Sequence, residues 1–413
     1  MNKFRAALGM LLGILVMAAC DFGGDGRSSV DIEWHRQSLM TTHLARWLAA
    51  APTESGLFRT TFDRRWQAQP KTGSDLTGQS RLVYAMLIGY EVSGDKRYLE
   101  AATRGADVLL ARFHDPIYGG FFKRVADDGK VLDESKHTYG HAFALLALSH
   151  MYRVSRDERY RDAALNTWRE IDRGLRDEAG GVRPSAPRNF AATTAKRTQN
   201  PIMHLFEALL ALSEATQDPE ALAGAASVGN FVVHKLLQKM PDGSANIPEW
   251  YDENWKPLRT REEGGFIDLG HQFEWIHLFL SAEAQGLGSV FPAASSRILE
   301  YALKVGYDEV EGGAFFRAFP DGSVDRSKYW WQQAECLRAL VAAAVATKRR
   351  DLWRRYEQTL DLIREDFIDQ ENGGWRFGDR RLCERGACPD TQPDPYHMAG
   401  MHWAAMRAAT KKP

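Results

Sequence analysis

EGGAFF, residues 311–316, is a turn with a buried exit. Two adjacent glycines can take the positive-φ backbone that a tight turn needs, and the apolar and aromatic residues after them belong in a core. The same pattern returns as SGLF at 55–58, YGGFF at 118–122, AGGV at 179–182 and NGGWRF at 372–377, with PDGS at 241–244 dividing the one long gap. The central glycines are Gly56, Gly119, Gly180, Gly243, Gly312 and Gly373, spaced by 63, 61, 63, 69 and 61 residues. A period of this length, kept six times, is the signature of a repeat architecture.

Helical periodicity fills the intervals, near 81–91, 96–112, 141–152, 157–173, 272–285, 294–305, 332–346 and 351–367. Each unit therefore holds two helices and one short hairpin or loop. Six such helical-hairpin repeats give an all-α (α/α)6 barrel over residues 32–410. An open solenoid is the rival, but it would call for polar capping units at its ends, and none is evident.

NPIMHLFEALLAL, residues 200–212, shows what the barrel has to accommodate. Asn200 is suited to cap the helix and Pro201 to open it. Apolar residues fall on every face, so the helix should be buried. His204 and Glu207 nevertheless sit one turn apart in it, where polar groups are costly unless partnered. Related positions recur at the same point of each unit: Arg81 after Thr77, Tyr139 with His141, His204 with Glu207, His271 with Glu274 after Asp268, Trp331 with Glu335 after Ser327, and His397 after Asp394 and Pro395. From Arg81 through His141, His204, His271 and Glu335 to His397 the intervals are 60, 63, 67, 64 and 62 residues. Equivalent positions in a closed ring point at one axis, so these residues should meet at the inner-helix N-termini, which also favour a developing oxyanion.

Three histidines with an arginine, carboxylates and aromatics suit proton transfer near neutral pH. Glu207 and Glu274 each follow a histidine by three residues and can orient it. Trp331, with Trp330 and Tyr329, is suited either to offer an apolar face to a ring-shaped ligand or to pack in the core. The two H-x-x-E turns with His397 also resemble metal ligands, but di-iron bundles use the reverse order and more carboxylates. The expectation is no metal and no cofactor.

The 413-residue chain has 53 Lys plus Arg against 54 Asp plus Glu, with no basic run, which argues against nucleic acid as partner. MNKFR followed by fourteen apolar residues and then Cys20 reads as an export signal too short to span a membrane comfortably. Ala18-Ala19-Cys20 resembles the lipobox of bacterial lipoproteins, with Met17 where leucine is usual. The expected division is a signal peptide over 1–19, a flexible tether over 20–31 and the barrel beyond. The chain would then sit in the bacterial cell envelope, facing the periplasm or the exterior, with membrane contact only through a lipid on Cys20. In that oxidising setting Cys383 and Cys388 can form a small-loop disulfide, whereas Cys336 should be buried and inert.

QSRLVY (79–84), KHTYGHAF (136–143), NPIMHLFEALL (200–210), GHQFEW (270–275), WWQQAE (330–335) and PYH (395–397) together resemble the N-acylglucosamine 2-epimerase superfamily, which includes the cellobiose 2-epimerases and mannose isomerases. The resemblance runs from about residue 33 to 407. It implies the (α/α)6 barrel and a cofactor-independent isomerisation of a reducing sugar through a cis-enediolate. It also implies His271 and His397 as the acid–base pair, His204 in ring opening and Arg81 on the enediolate oxygen. Trp331, Glu335, Glu274, Glu207, Asn200 and Tyr139 would bind the sugar or orient the histidines. Two positions depart from the disaccharide epimerases: Gln392 replaces a Trp five residues before the last histidine, and Gly400 replaces an Arg three residues after it. The loss of that aromatic platform favours a monosaccharide such as mannose. The alternative is a glycan-cleaving or carbohydrate-binding envelope lipoprotein on the same barrel. Cleavage would need a carboxylate pair, for which Asp75, Asp268 and Glu335 are the nominees.

Overall fold

The structure is a computed structural model and describes residues 30–410. The expected signal peptide, Cys20 and the expected tether as far as residue 29 lie outside the described residues. Val30 is already buried, and the carboxylate of Asp31 caps the first helix by accepting from the Trp34 N–H.

Twelve helical rods build two concentric layers. The inner six are Leu76–Ser93, Thr138–Ser155, Asn200–Thr216, Leu269–Ala284, Trp330–Thr347 and Tyr396–Thr410. The outer six span 32–50, 96–113, 158–174, 219–236, 290–306 and 350–367. Inner helices are apolar nearly all round because a neighbour covers every face. Thr138–Ser155, for example, buries a continuous run from Gly140 to Met151. Outer helices are amphipathic: Glu158–Gly174 buries Tyr160, Ala164, Leu165, Trp168 and Ile171 and leaves its charges in water. Each inner helix packs on the next, and Tyr396–Thr410 packs back on Leu76–Ser93, so the ring is closed rather than an open solenoid. The segment 32–50 lies against that last inner helix and supplies its outer partner. The fold is an (α/α)6 barrel.

All six repeat glycines adopt positive φ, from 75° at Gly373 to 92° at Gly180. The turns they form are closed by short antiparallel pairings, such as His114 with Phe121, Tyr307 with Ala314 and Ile368 with Trp375. Four of the turns are then tied to an inner helix. Gln79 receives the Phe58 N–H at 2.7 Å and donates to the Phe58 carbonyl at 2.8 Å. Gln272 does the same to Ile247, and Gln333 to Ala314. His141 accepts the Phe121 N–H on Nε2 at 2.8 Å and donates from Nδ1 to the His137 carbonyl. His141 therefore braces a turn and does not join the axial ring in which the spacing placed it. Gln392 has a similar task, donating to the carbonyls of Arg64 and Gly373.

The helix starts differ in part from the expected caps. Asp268 caps its helix by accepting from Gly270 and His271, and Asp394 accepts from Tyr396. Asp75, not Thr77, caps the first inner helix. The helix from Trp330 follows Tyr329 without a side-chain cap, so Ser327 has no such role. Asn200 lies inside its helix rather than at the cap. Cys383 and Cys388 form a disulfide with Cα atoms 4.7 Å apart, and Cys336 is free and buried.

Candidate active site

The barrel gathers its polar side chains at the end where the inner helices begin. Arg81 donates to Asp394 at 2.8 Å and to the Tyr139 hydroxyl at 2.6 Å. Its guanidinium lies over Phe143 at 4.3 Å and Tyr396 at 5.0 Å. His204 sits in the same aromatic nest, with ring centroids 4.5 Å from Phe143 and 5.1 Å from Tyr139. Its Nδ1 is 3.3 Å from Glu207 and 3.7 Å from Glu274. Glu207 also accepts a short hydrogen bond from the Tyr396 hydroxyl. Burial holds His204 down to about 4 despite Glu207, so its imidazole is neutral at physiological pH.

A second group lies across Glu274. His271 and His397 both pack against Trp331, with centroids 4.9 and 5.5 Å from its ring. Each rests its Nδ1 on a buried carboxylate, His271 on Glu249 at 2.7 Å and His397 on Glu335 at 2.8 Å. An ionised carboxylate only accepts, so Nδ1 carries the proton and Nε2 is left for a ligand. Burial alone would lower the pKa of His271. The charges of Glu249 and Asp268 outweigh it and raise His271 to about 10. Asp268 is itself pushed up to about 6 by burial, with Glu249 adding to the shift.

Glu249 was not foreseen from the sequence. It comes from IPEW, just before Trp250–Tyr251, a two-residue strand paired with Arg197–Thr198. Thr198 and Gln199 donate to Glu249 at 3.0 and 2.8 Å, and Trp275 donates to the other end of Gln199 at 2.7 Å. Its only signal in sequence is a carboxylate set among apolar residues. Arg338 was missed too, although it follows Glu335 by three residues and so shares its face.

Glu274 joins the two groups. It is fully buried, and neither of its oxygens has a hydrogen-bond partner among the described residues. Burial and the nearby charges of Glu335 and Glu207 push it well above the usual carboxylate range. His204, Glu207 and Glu274 bring donor atoms within 4.8 Å of one another, as do Glu274, Glu335 and His397. Arg338 already brings positive charge there, 3.2 Å from Glu207 and 3.5 Å from Glu335. The Oδ1 atom of Asn200 is buried without a protein partner at the start of the His204 helix. The nominees for a glycan-cleaving pair are each otherwise engaged: Asp75 with Lys71 and the first helix cap, Asp268 in its cap, and Glu335 on His397.

Comparison with known proteins agrees with this arrangement. The family model described as N-acylglucosamine 2-epimerase matches residues 56–400. The D-mannose isomerase of Marinomonas mediterranea is 27% identical over 378 residues, covering 86% of this chain and 92% of that protein. The cellobiose 2-epimerase of Eubacterium cellulosolvens is 25% identical over 351 residues, 78% of this chain and 85% of its own. Among solved structures, the cellobiose 2-epimerase from Bacillus thermoamylovorans superposes with a TM-score of 0.80 at 20% identity, covering 91% of this chain and 98% of that one. A barrel of six closed repeats, a convergent set of histidines at its helix starts and a family match over most of its length have one reading: the chain belongs to the N-acylglucosamine 2-epimerase family.

Proposed function

We propose that this protein is a cofactor-independent sugar 2-epimerase or aldose–ketose isomerase that works by histidine acid–base transfer through a cis-enediolate. The observation that carries the reading is the placement of His271 and His397 against one indole, each with Nδ1 fixed on a carboxylate and Nε2 free. Neutral His204, within its aromatic nest, assists opening of the sugar ring. His397 takes the proton from carbon 2 onto Nε2, leaving the electron pair in the enediolate. Arg81 stabilises the enediolate oxygen. His271, charged at neutral pH, returns a proton to the other face of carbon 2 to give the epimer, or to carbon 1 to give the ketose.

A monosaccharide of the mannose type is the favoured substrate. Gln392, where a disaccharide epimerase would place an aromatic platform, is turned to backbone carbonyls instead. The lipid anchor on Cys20 belongs to the same proposal, and replacing Cys20 with Ser should release the protein from membranes.

The test is incubation with mannose, glucose and cellobiose in deuterated water. Deuterium should enter carbon 1 or carbon 2, remain insensitive to EDTA, and be lost in His271→Ala and His397→Ala. Cleavage of an oligosaccharide with no exchange into any reducing sugar would sink the reading.

A further inference from the structure

Two of the site histidines rest on carboxylates, and those carboxylates share one cation. The Arg338 guanidinium donates from Nη2 to Glu207 at 3.2 Å, and its Nη1 lies 3.5 Å from Glu335. The other oxygen of Glu207 meets His204, and the other oxygen of Glu335 meets His397. Every inner helix presents a titratable or charged group to this point. They are Tyr84, His150 beside Arg153, Glu207, Glu274 with His277, Glu335, and Tyr396.

Gly400, on the sixth inner helix, faces the guanidinium across van der Waals distance. A Cβ there would stand 3.4 Å from Arg338 Nη1 and 3.5 Å from the Tyr84 hydroxyl oxygen. Beyond the cluster, Arg338 and Glu207 also line a cavity of about 730 Å³ at the opposite end of the barrel, whose wall includes Gln217, Gln285 and Arg407.

Resting on the acid–base reading above, we propose that Arg338 is a positioning residue: it ties Glu207 and Glu335 together so that each keeps its histidine, His204 or His397, in working orientation and tautomer. Without it, two buried carboxylates would face each other and Glu274 with no shared cation. One of them would take up a proton, and its histidine would lose its acceptor. Both carboxylates are held below their usual range: burial opposes this, while Arg338 and the histidines outweigh burial.

The experiment uses the full chain and a sugar into which the wild type exchanges deuterium. Arg338→Ala should lower kcat about ten- to a hundredfold, the scale of losing a group that orients a catalytic histidine. KM should change little, and the acidic limb of the kcat profile should move to higher pH. Guanidinium ion at non-denaturing concentration should restore rate by entering the opposite cavity, and urea should not. Adding Gly400→Arg to Arg338→Ala supplies a guanidinium from the neighbouring helix and should return the acidic limb toward wild type. A loss that merely follows the folded fraction, with a wild-type pH profile and no rescue, overturns the proposal. If the alanine protein does not fold, Arg338→Met, which keeps the length and removes the charge, decides: a shifted acidic limb supports the role and an unshifted one refutes it. Failure of the wild type to exchange any sugar would instead defeat the functional reading beneath it.

Discussion

A buried imidazole whose neighbouring charges do not outweigh burial is neutral at physiological pH, as His141 and His204 are. His271 departs from that rule because Glu249 meets it at 2.7 Å with Gln199 and Thr198 fixing the carboxylate. Glu249→Gln should therefore remove the larger of the charges that oppose burial, leaving Asp268. The basic limb of kcat, expected near pH 10 in the wild type if His271 sets it, should move down toward neutrality, with kcat falling roughly tenfold or more. The same pair affects stability. Its contribution is complete below pH 6.5 and lost as pH rises through about 10, so the variant's stability should vary less between those limits, as measured by urea unfolding. At this scale the sequence revealed the imidazoles better than their partners. His204, His271 and His397 fall at helix starts with constant spacing, a one-dimensional signal. Glu249 reaches His271 only because a two-residue strand pairs with Arg197–Thr198, a contact between segments about fifty residues apart that no local pattern encodes.

The inner helices and the Gly turns are fastened by side-chain amides that mimic a strand partner. Gln333 satisfies both the N–H and the C=O of Ala314, groups that would otherwise be buried and unpaired. Gln333→Leu should cost about 2 kcal/mol or more in chemical denaturation, because two backbone groups lose their bonds. Any Cβ at Gly313 would come within 2.3 Å of the Gln333 amide oxygen, at a backbone φ of +81°, so Gly313→Ala should be similarly costly. His141→Phe tests the corrected role of that residue: stability should fall, while the exchange rate per folded molecule stays near wild type. Regular spacing cannot separate a residue that faces the axis from one that faces the turn two positions away. That is why His141 entered the expected ring alongside residues that do face one another at the helix starts.

Closure of the ring is a property of the whole chain. The glycine period made six units legible, and the absence of polar caps pointed to a barrel. The composition of the sixth pair was not legible, because its outer helix spans 32–50 and its inner helix is Tyr396–Thr410. Ending the chain before Tyr396 should remove His397, expose faces of the first and fifth inner helices, and abolish both cooperative unfolding and exchange. A circular permutant joining residues 410 and 31 through a flexible linker, with new ends near Gly286 and Gly288, where a side chain would meet nothing within 4 Å, should keep both. The split sixth pair also sets an order on synthesis. Five inner helices can leave the ribosome while the barrel is still an open arc, its polar cluster wet and His271 without its counterpart. Only when the helix Tyr396–Thr410 docks beside residues 32–50 does the arc become a ring, so the polar cluster cannot assemble before residue 410 has been synthesised.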